Sequence, residues 1–259
     1  MTTSSPSLRC LVTGASRGIG AAIVSDLDAV GHRLALTART QSSLEELARG
    51  LCAEAGPPLV LPADATDAGS AERLQEGILR EWGGLDVLVV NAGEGTAAPL
   101  ARTSDDMWES SIEVNLTAPF RLLRAFVPGM VEQGFGRVIV VASVAAKVGA
   151  PYISAYAAAK HGALGLVRSV ASEVATSGVT VNAVCPGYVD TPMTERTIAS
   201  IVEKTGRTPE QARASLEREQ PIGRLIAPAE VASAVRFCIT DSGALNGQAI
   251  TLDGGGVQS

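Results

Sequence analysis

Short apolar runs alternate with longer amphipathic ones along this chain, and that alternation constrains the fold more than any single motif. Strand-like runs cover residues 8–13, 33–38, 59–63, 86–90, 136–142, 179–185 and 248–252. Helical periodicity covers 18–29, 41–54, 67–81, 104–132, 154–177 and 228–238. Strands that take turns with helices imply a parallel sheet with helices on both faces. Right-handed crossovers then give a doubly wound sheet, with ligands beyond the carboxyl ends of the strands. The expectation is therefore an α/β, doubly wound Rossmann fold, a seven-stranded parallel sheet flanked by helices. The 259 residues suit one domain, residues 1–259, with no linker, repeat or low-complexity stretch. The pattern is interrupted over residues 190–227, where Thr194–Thr205 and Pro209–Glu219 look helical and carry many charges. An insertion there is expected to sit over the ligand as a lid.

The first strand-like run ends at Thr13 and is followed by Gly14-Ala-Ser16-Arg17-Gly18-Ile19-Gly20 and a helical segment. A strand, a glycine turn and a helix offer backbone N–H groups and a positive helix end to a pyrophosphate. The spacing Gly-x-x-x-Gly-x-Gly departs from the Gly-x-Gly-x-x-Gly fingerprint, and a glycine loop alone could be an ordinary tight turn. The second strand-like run begins about twenty residues after the glycines, and at its end such folds often place Asp or Glu on the ribose 2′-hydroxyl. Here Ala38 and Arg39 stand at that point, with no acid. Arg39, joined by Arg17, suits a 2′-phosphate, and this points to NADP(H).

Tyr156 and Lys160 lie four residues apart in a segment that reads as helix, with Ser143 thirteen residues before the tyrosine. Positions i and i+4 share a helix face. An ammonium there would stabilise a phenolate and lower the tyrosine pKa, which suits a proton donor. Alone, such a pair is an ordinary feature of an amphipathic helix.

Bulk properties exclude several classes. Net charge is −6, with no basic stripe or aromatic-rich basic patch, which argues against nucleic-acid binding. His32 and His161 lie far apart, so zinc catalysis and a Ser-His-Asp triad are poor readings, and no metal is expected. Cys10, Cys52, Cys185 and Cys238 form no Cys-x-x-Cys pair and read as buried thiols in a reducing compartment. The opening Met1-Thr-Thr-Ser-Ser-Pro-Ser has no apolar signal region, and no run of about 20 apolar residues could span a membrane. A cytoplasmic location is the expectation.

Taken together, the motifs resemble the short-chain dehydrogenase/reductase family over essentially the whole chain, Leu8 to about Gly255. Thr13-Gly-Ala-Ser-Arg-Gly-Ile-Gly20 looks like its cofactor loop, and Asp64-Ala65 resembles the pair that holds the adenine. Val90-Asn91-Ala92-Gly93 resembles its Asn-Asn-Ala-Gly motif, with Val90 replacing the first Asn. Asn115, Ser143, Tyr156 and Lys160 match its catalytic tetrad. Pro186-Gly187-Tyr188-Val189-Asp190-Thr191-Pro192-Met193 resembles the segment that contacts the nicotinamide carboxamide through Val189 and Thr191. Leu252-Asp253-Gly254-Gly255 is also typical. The resemblance implies hydride transfer between NADPH and a carbonyl. Ser143 would position the substrate oxygen and Tyr156 would donate the proton. Lys160 would tune Tyr156 and hold the nicotinamide ribose, and Asn115 would hold a water that links Lys160 to solvent.

Tyr152, Ile153, Tyr188, Met193 and residues Glu94 to Ala97 are expected to border the substrate cavity. The segment from Tyr188 to Arg224 resembles bacterial 3-oxoacyl thioester reductases, so the leading substrate is a 3-oxoacyl thioester on CoA or acyl carrier protein. The alternatives are a free, cyclic or polyketide ketone, or a catalytically idle NADP-binding sensor. Lys147, Arg196 and Arg207 read as ordinary surface charges, with carrier or CoA phosphates as the competing reading. A homotetramer is expected from the family and from helices that carry apolar or small residues on more than one face.

Overall fold

The computed structural model describes residues 7–258. The polar opening Met1–Pro6 lies outside them. Seven strands form one sheet in the order β3-β2-β1-β4-β5-β6-β7, with every pair parallel. They are β1 Arg9–Thr13, β2 Arg33–Thr37, β3 Leu59–Val60, β4 Val87–Val90, β5 Gly136–Val141, β6 Val179–Pro186 and β7 Ala249–Leu252. The strand order reverses between β1 and β4, which leaves a crevice at the carboxyl ends of those strands.

Both sheet faces are covered, so the central strands are apolar at consecutive positions rather than at alternate ones. On one face α3 (Ser70–Trp82), α5 (Ala118–Glu132) and α6 (Ser154–Glu173) supply Leu74, Leu123, Phe126 and Val167 against Leu11, Leu88 and Val138. On the other, α1 (Gly18–Ala29), α2 (Gln41–Arg49) and α9 (Pro228–Thr240) supply Ile23, Leu27, Leu44 and Val235 against Cys10, Val12 and Val89.

Several boundaries differ from the sequence expectation. The helix expected over 104–132 is interrupted: α4 (Asp105–Ile112) and α5 are joined by a π-helical turn, Glu113–Thr117. Pro119 and Pro128 fall within this continuous helical stretch without ending it, and Pro119 comes two residues after the π turn. α2 ends at Arg49 rather than residue 54, because the Asp28 carboxylate accepts the Cys52 and Ala53 N–H groups. Cys52 is consequently exposed, contrary to the expectation of a buried thiol; Cys10, Cys185 and Cys238 are buried. β3 pairs over two residues only, although Leu61 and Ala63 continue to donate to Leu36 and Ala38. α6 ends at Glu173, four residues early.

The insertion folds as two helices, α7 (Pro192–Thr205) and α8 (Pro209–Arg218). They enclose a small core of Ile198, Ala212, Leu216 and Leu225. The chain returns through Ile226, which pairs with Val189 in a parallel bridge.

Candidate active site

One cleft of about 1750 Å³ runs along the carboxyl ends of the strands. Thr13, Arg39, Asp64, Asn91, Ser143, Gly187 and Asp253 each lie at or just past the end of a different strand, and all of them line it. A parallel sheet places its strand ends on one edge, so residues distant in sequence converge there.

At one end the loop Gly14, Ser16, Arg17, Gly18 and Ile19 faces Arg39, Asp64 and Ala65 across the cleft. Gly14 and Gly18 have φ of +62° and +56°, a region that disfavours side chains. Gly20 does not line the cleft. It is buried, and a methyl group there would overlap the Gly14 carbonyl, so it packs α1 against the loop from behind. Arg17 and Arg39 are exposed. The Asp64 carboxylate is held below its usual range, mainly by the Thr66 N–H and hydroxyl, and more weakly by Arg39.

Asn91 joins this loop to the end of β4. Its Nδ2 donates to the carbonyls of Thr13 (3.0 Å) and Gly14 (3.2 Å), while the Thr13 hydroxyl accepts from the N–H groups of Asn91 and Ala92. Its side chain therefore braces the loop. Gly93 lies beside Lys160 Nζ and Asn115 Oδ1, in a space that a side chain would fill.

Asn115 sits on the π turn and is 1% exposed. Its Nδ2 donates to the carbonyls of Glu94 (2.9 Å) and Ser111 (3.1 Å), and its Oδ1 accepts from Glu94 N–H at 3.3 Å. The side chain thus fixes the loop that begins the expected substrate border. π turns commonly occur at functional sites.

Ser143 caps a short 3₁₀ turn, Val144–Ala146. Its Oγ accepts from Ala145 N–H at 3.1 Å. That contact occupies an acceptor position and leaves the hydroxyl proton to donate, and Ser143 lies near enough to Tyr156 to favour its phenolate. Tyr156 and Lys160 are one turn apart on α6, with Nζ 5.6 Å from the tyrosine ring centre. Lys160 is 5% exposed and donates to the Val141 carbonyl at 3.2 Å.

The electrostatics correct one expectation. Burial pushes the Tyr156 phenol above its usual value, and Ser143 opposes it only in part. The same burial pushes Lys160 down to about 8. In the protein alone, Lys160 does not bring Tyr156 toward neutrality, because desolvation penalises the phenolate and the ammonium together.

Beyond the tetrad, Pro186, Gly187, Val189 and Thr191 line the cleft as expected. Thr191 caps α7, and the hydroxyls of Thr191 and Thr194 both donate to the Val189 carbonyl, at 3.3 and 2.5 Å. Tyr152, Ile153, Tyr188, Met193 and Glu94 to Ala97 form the far end. Tyr152 holds φ of +72°, uncommon for a bulky residue, and its carbonyl accepts from Ala98 N–H at 2.8 Å. A strained residue on a cleft wall is a feature of functional loops. Burial and the neighbouring Glu219 push Tyr188 up to about 12.

Lys147 and Arg207 do not line the cleft, whereas Arg196 does. Arg102, Lys204 and Glu219 also line it, and the sequence reading did not single them out. A signal existed for Lys204, which follows Met193, Arg196 and Ser200 on one helical face. Among the described residues, no group of three or more His, Cys, Asp or Glu side chains could hold a metal.

Residues 9–201 match the short chain dehydrogenase family. The chain is 36% identical to the ketoacyl reductase of the monensin polyketide synthase of Streptomyces virginiae, over 98% of both chains. It is 39% identical to the 3-oxoacyl-[acyl-carrier-protein] reductase FabG of Salmonella typhimurium, over 95% of both. Among solved structures, it matches a variant of the actinorhodin polyketide ketoreductase with NADPH at a TM-score of 0.92 and 34% identity, over 99% of both chains. The chain therefore belongs to the short chain dehydrogenases, a family of oxidoreductases that act on keto and hydroxyl groups.

Proposed function

We propose that this protein is an NADP(H)-dependent reductase of 3-oxoacyl thioesters, forming the 3-hydroxyacyl thioester. The observation that carries the reading is the juxtaposition of Ser143, Tyr156 and Lys160 in a cleft whose opposite end presents the Gly14–Ile19 loop and two exposed arginines. The glycine loop and the N-terminus of α1 suit a pyrophosphate, and Arg17 and Arg39 suit a 2′-phosphate. Asp64 and Ala65 would meet the adenine, and Val189 and Thr191 the nicotinamide. When bound, the reduced cofactor supplies a hydride to the substrate carbon.

The chain's own residues do the rest. The Ser143 hydroxyl donates to the carbonyl oxygen and fixes its place. Tyr156 gives its proton to that oxygen as the C=O π bond breaks, so the product gains one hydride and one proton. Lys160, one turn away, limits the cost of the phenolate. Asn115 holds the Glu94 loop beside Lys160, where a water could return the proton.

A polyketide or cyclic ketone is the second reading, favoured by the polyketide synthase relative. An idle NADP-binding sensor has less support, since a pure binder has no need of Ser143 beside Tyr156. The test is NADPH consumption, followed by absorbance, with acetoacetyl thioesters beside cyclic and aryl ketones. Tyr156→Phe should lower kcat by orders of magnitude with little change in NADPH affinity. Wild-type turnover in that variant would reject Tyr156 as the acid, and inactivity of the unmodified chain on every ketone would favour the sensor.

A further inference from the structure

The two sides of α7 differ. Ile198 and Val202 turn toward α8 and the lid core, while Ile201 borders both that core and the cleft. Met193, Arg196, Thr197, Ser200 and Lys204 line the cleft, at the three- and four-residue spacing of one helix face. A lid that covered a purely apolar chain would present an apolar face. This one presents Met193 and Ile201 together with two cations and several hydroxyl-bearing residues, and Arg102 lines the same cleft.

These cations have no partners in the protein. Among the described residues, the side chains of Arg102, Arg196 and Lys204 form no hydrogen bond or ion pair, whereas Arg73, Arg124, Arg213 and Arg224 each hold a carboxylate. Glu94 and Glu219 also line the cleft, but neither forms an ion pair with them. On a chain of net charge −6, two cations on the cleft-facing side of one helix offer a place for an external anion.

The distance also matters. α7 starts directly after Thr191, and Met193 lies against the Gly95 loop. From Met193 to Lys204 is eleven residues, roughly 16 Å along the helix. A ketone held at Ser143 and Tyr156 would need a long arm to reach that end. We propose that Arg196 and Lys204 form a subsite for the phosphate on the pantetheine arm of the thioester substrate, which rests on the thioester reading above. The same phosphate chemistry is present in CoA and in a carrier protein's prosthetic arm.

The experiment compares kcat/KM for acetoacetyl-CoA, acetoacetyl-carrier protein and the uncharged acetoacetyl-N-acetylcysteamine, in the unmodified chain and in an Arg196→Gln/Lys204→Gln variant. The ratio of either phosphorylated substrate to the uncharged one should fall about tenfold in the variant, a loss of about 1.4 kcal/mol. In the unmodified chain, the ratio should also fall as salt rises. Both side chains are exposed and unpaired, so the thermal midpoint should hold, and measuring it guards against a folding artefact. A ratio insensitive to the substitutions and to salt would overturn the subsite while leaving the thioester reading intact. A fall for the carrier protein alone would assign the cations to protein docking and overturn the phosphate subsite. No turnover with any thioester would sink the thioester reading, and the subsite with it.

Discussion

At Lys160 burial opposes charge, and that conflict is measurable. Its folded pKa is about 8, below the unfolded value. Between about pH 8 and 10.4 the unfolded chain holds a proton that the folded chain has released, so this group makes stability rise with pH across that window. Below pH 8 the buried ammonium costs about 3 kcal/mol relative to the unfolded chain. Lys160→Met should therefore be the more stable chain near neutrality, and its advantage should narrow toward pH 10.4. Titrations of Tyr188 and the buried cysteines are common to both chains and largely cancel. Urea unfolding across that range checks the trend, and a gap independent of pH would reject it. At the other end of the cleft, Arg39→Asp should reverse a preference for NADPH over NADH. The loss of one charged contact is about tenfold, and the new carboxylate adds repulsion. Equal kcat/KM for the two cofactors in the unmodified chain would defeat the assignment of Arg39.

Among the elements, α7 and α8 are joined to the cleft segment by one arginine. Arg213 of α8 holds Asp190 and Glu195 at 2.9 Å and Glu217 at 3.3 Å. Asp190 lies between Val189 and Thr191, so the arginine ties both lid helices to the segment beside the candidate nicotinamide site. The pairs are half exposed, and such pairs contribute about 1 kcal/mol or less to global stability. Their local effect should be larger, because the lid core has only a few buried side chains. Arg213→Gln should leave the thermal midpoint within a few degrees, raise KM for the ketone several-fold and speed amide exchange in α7 and α8. Unchanged exchange there would mean that the lid core alone fixes the helices.

At the scale of the molecule, several large apolar side chains remain exposed on the outer helices. Trp108 of α4 is 45% exposed, Phe120 of α5 43% and Phe237 of α9 59%. The outer side of α6 carries Ala158 and Gly165, small enough for another helix to approach closely. Single exposed apolar side chains are ordinary, but α4, α5 and α6 pack side by side, so Trp108 and Phe120 lie on the same side of the sheet as those small residues, where a partner could dock. The chain is expected to assemble as a homotetramer through these helices. Light scattering at micromolar concentration should return about four chain masses, and a monomer mass would reject the assembly. No described helix is long and apolar enough to cross a membrane.

The sequence by itself determined the sheet, its winding and most of the cleft. Apolar runs and helical periodicity are local signals, and a parallel sheet then brings Thr13, Asn91, Ser143 and Gly187 to one edge by geometry. Only the tertiary structure decided where that periodicity is overridden. The π turn at Asn115 depends on contacts with Glu94 and Ser111, the early end of α2 on Asp28, and the placing of Gly20 behind the loop on the Gly14 carbonyl. It also decided the charge state at the core of the site. Spacing places Lys160 beside Tyr156, but the desolvation that weakens the ammonium and raises the phenol comes from the packing around both. The cationic face of α7 was half legible, since its residues are evenly spaced, but which side of that helix meets the cleft follows from the lid core beneath it.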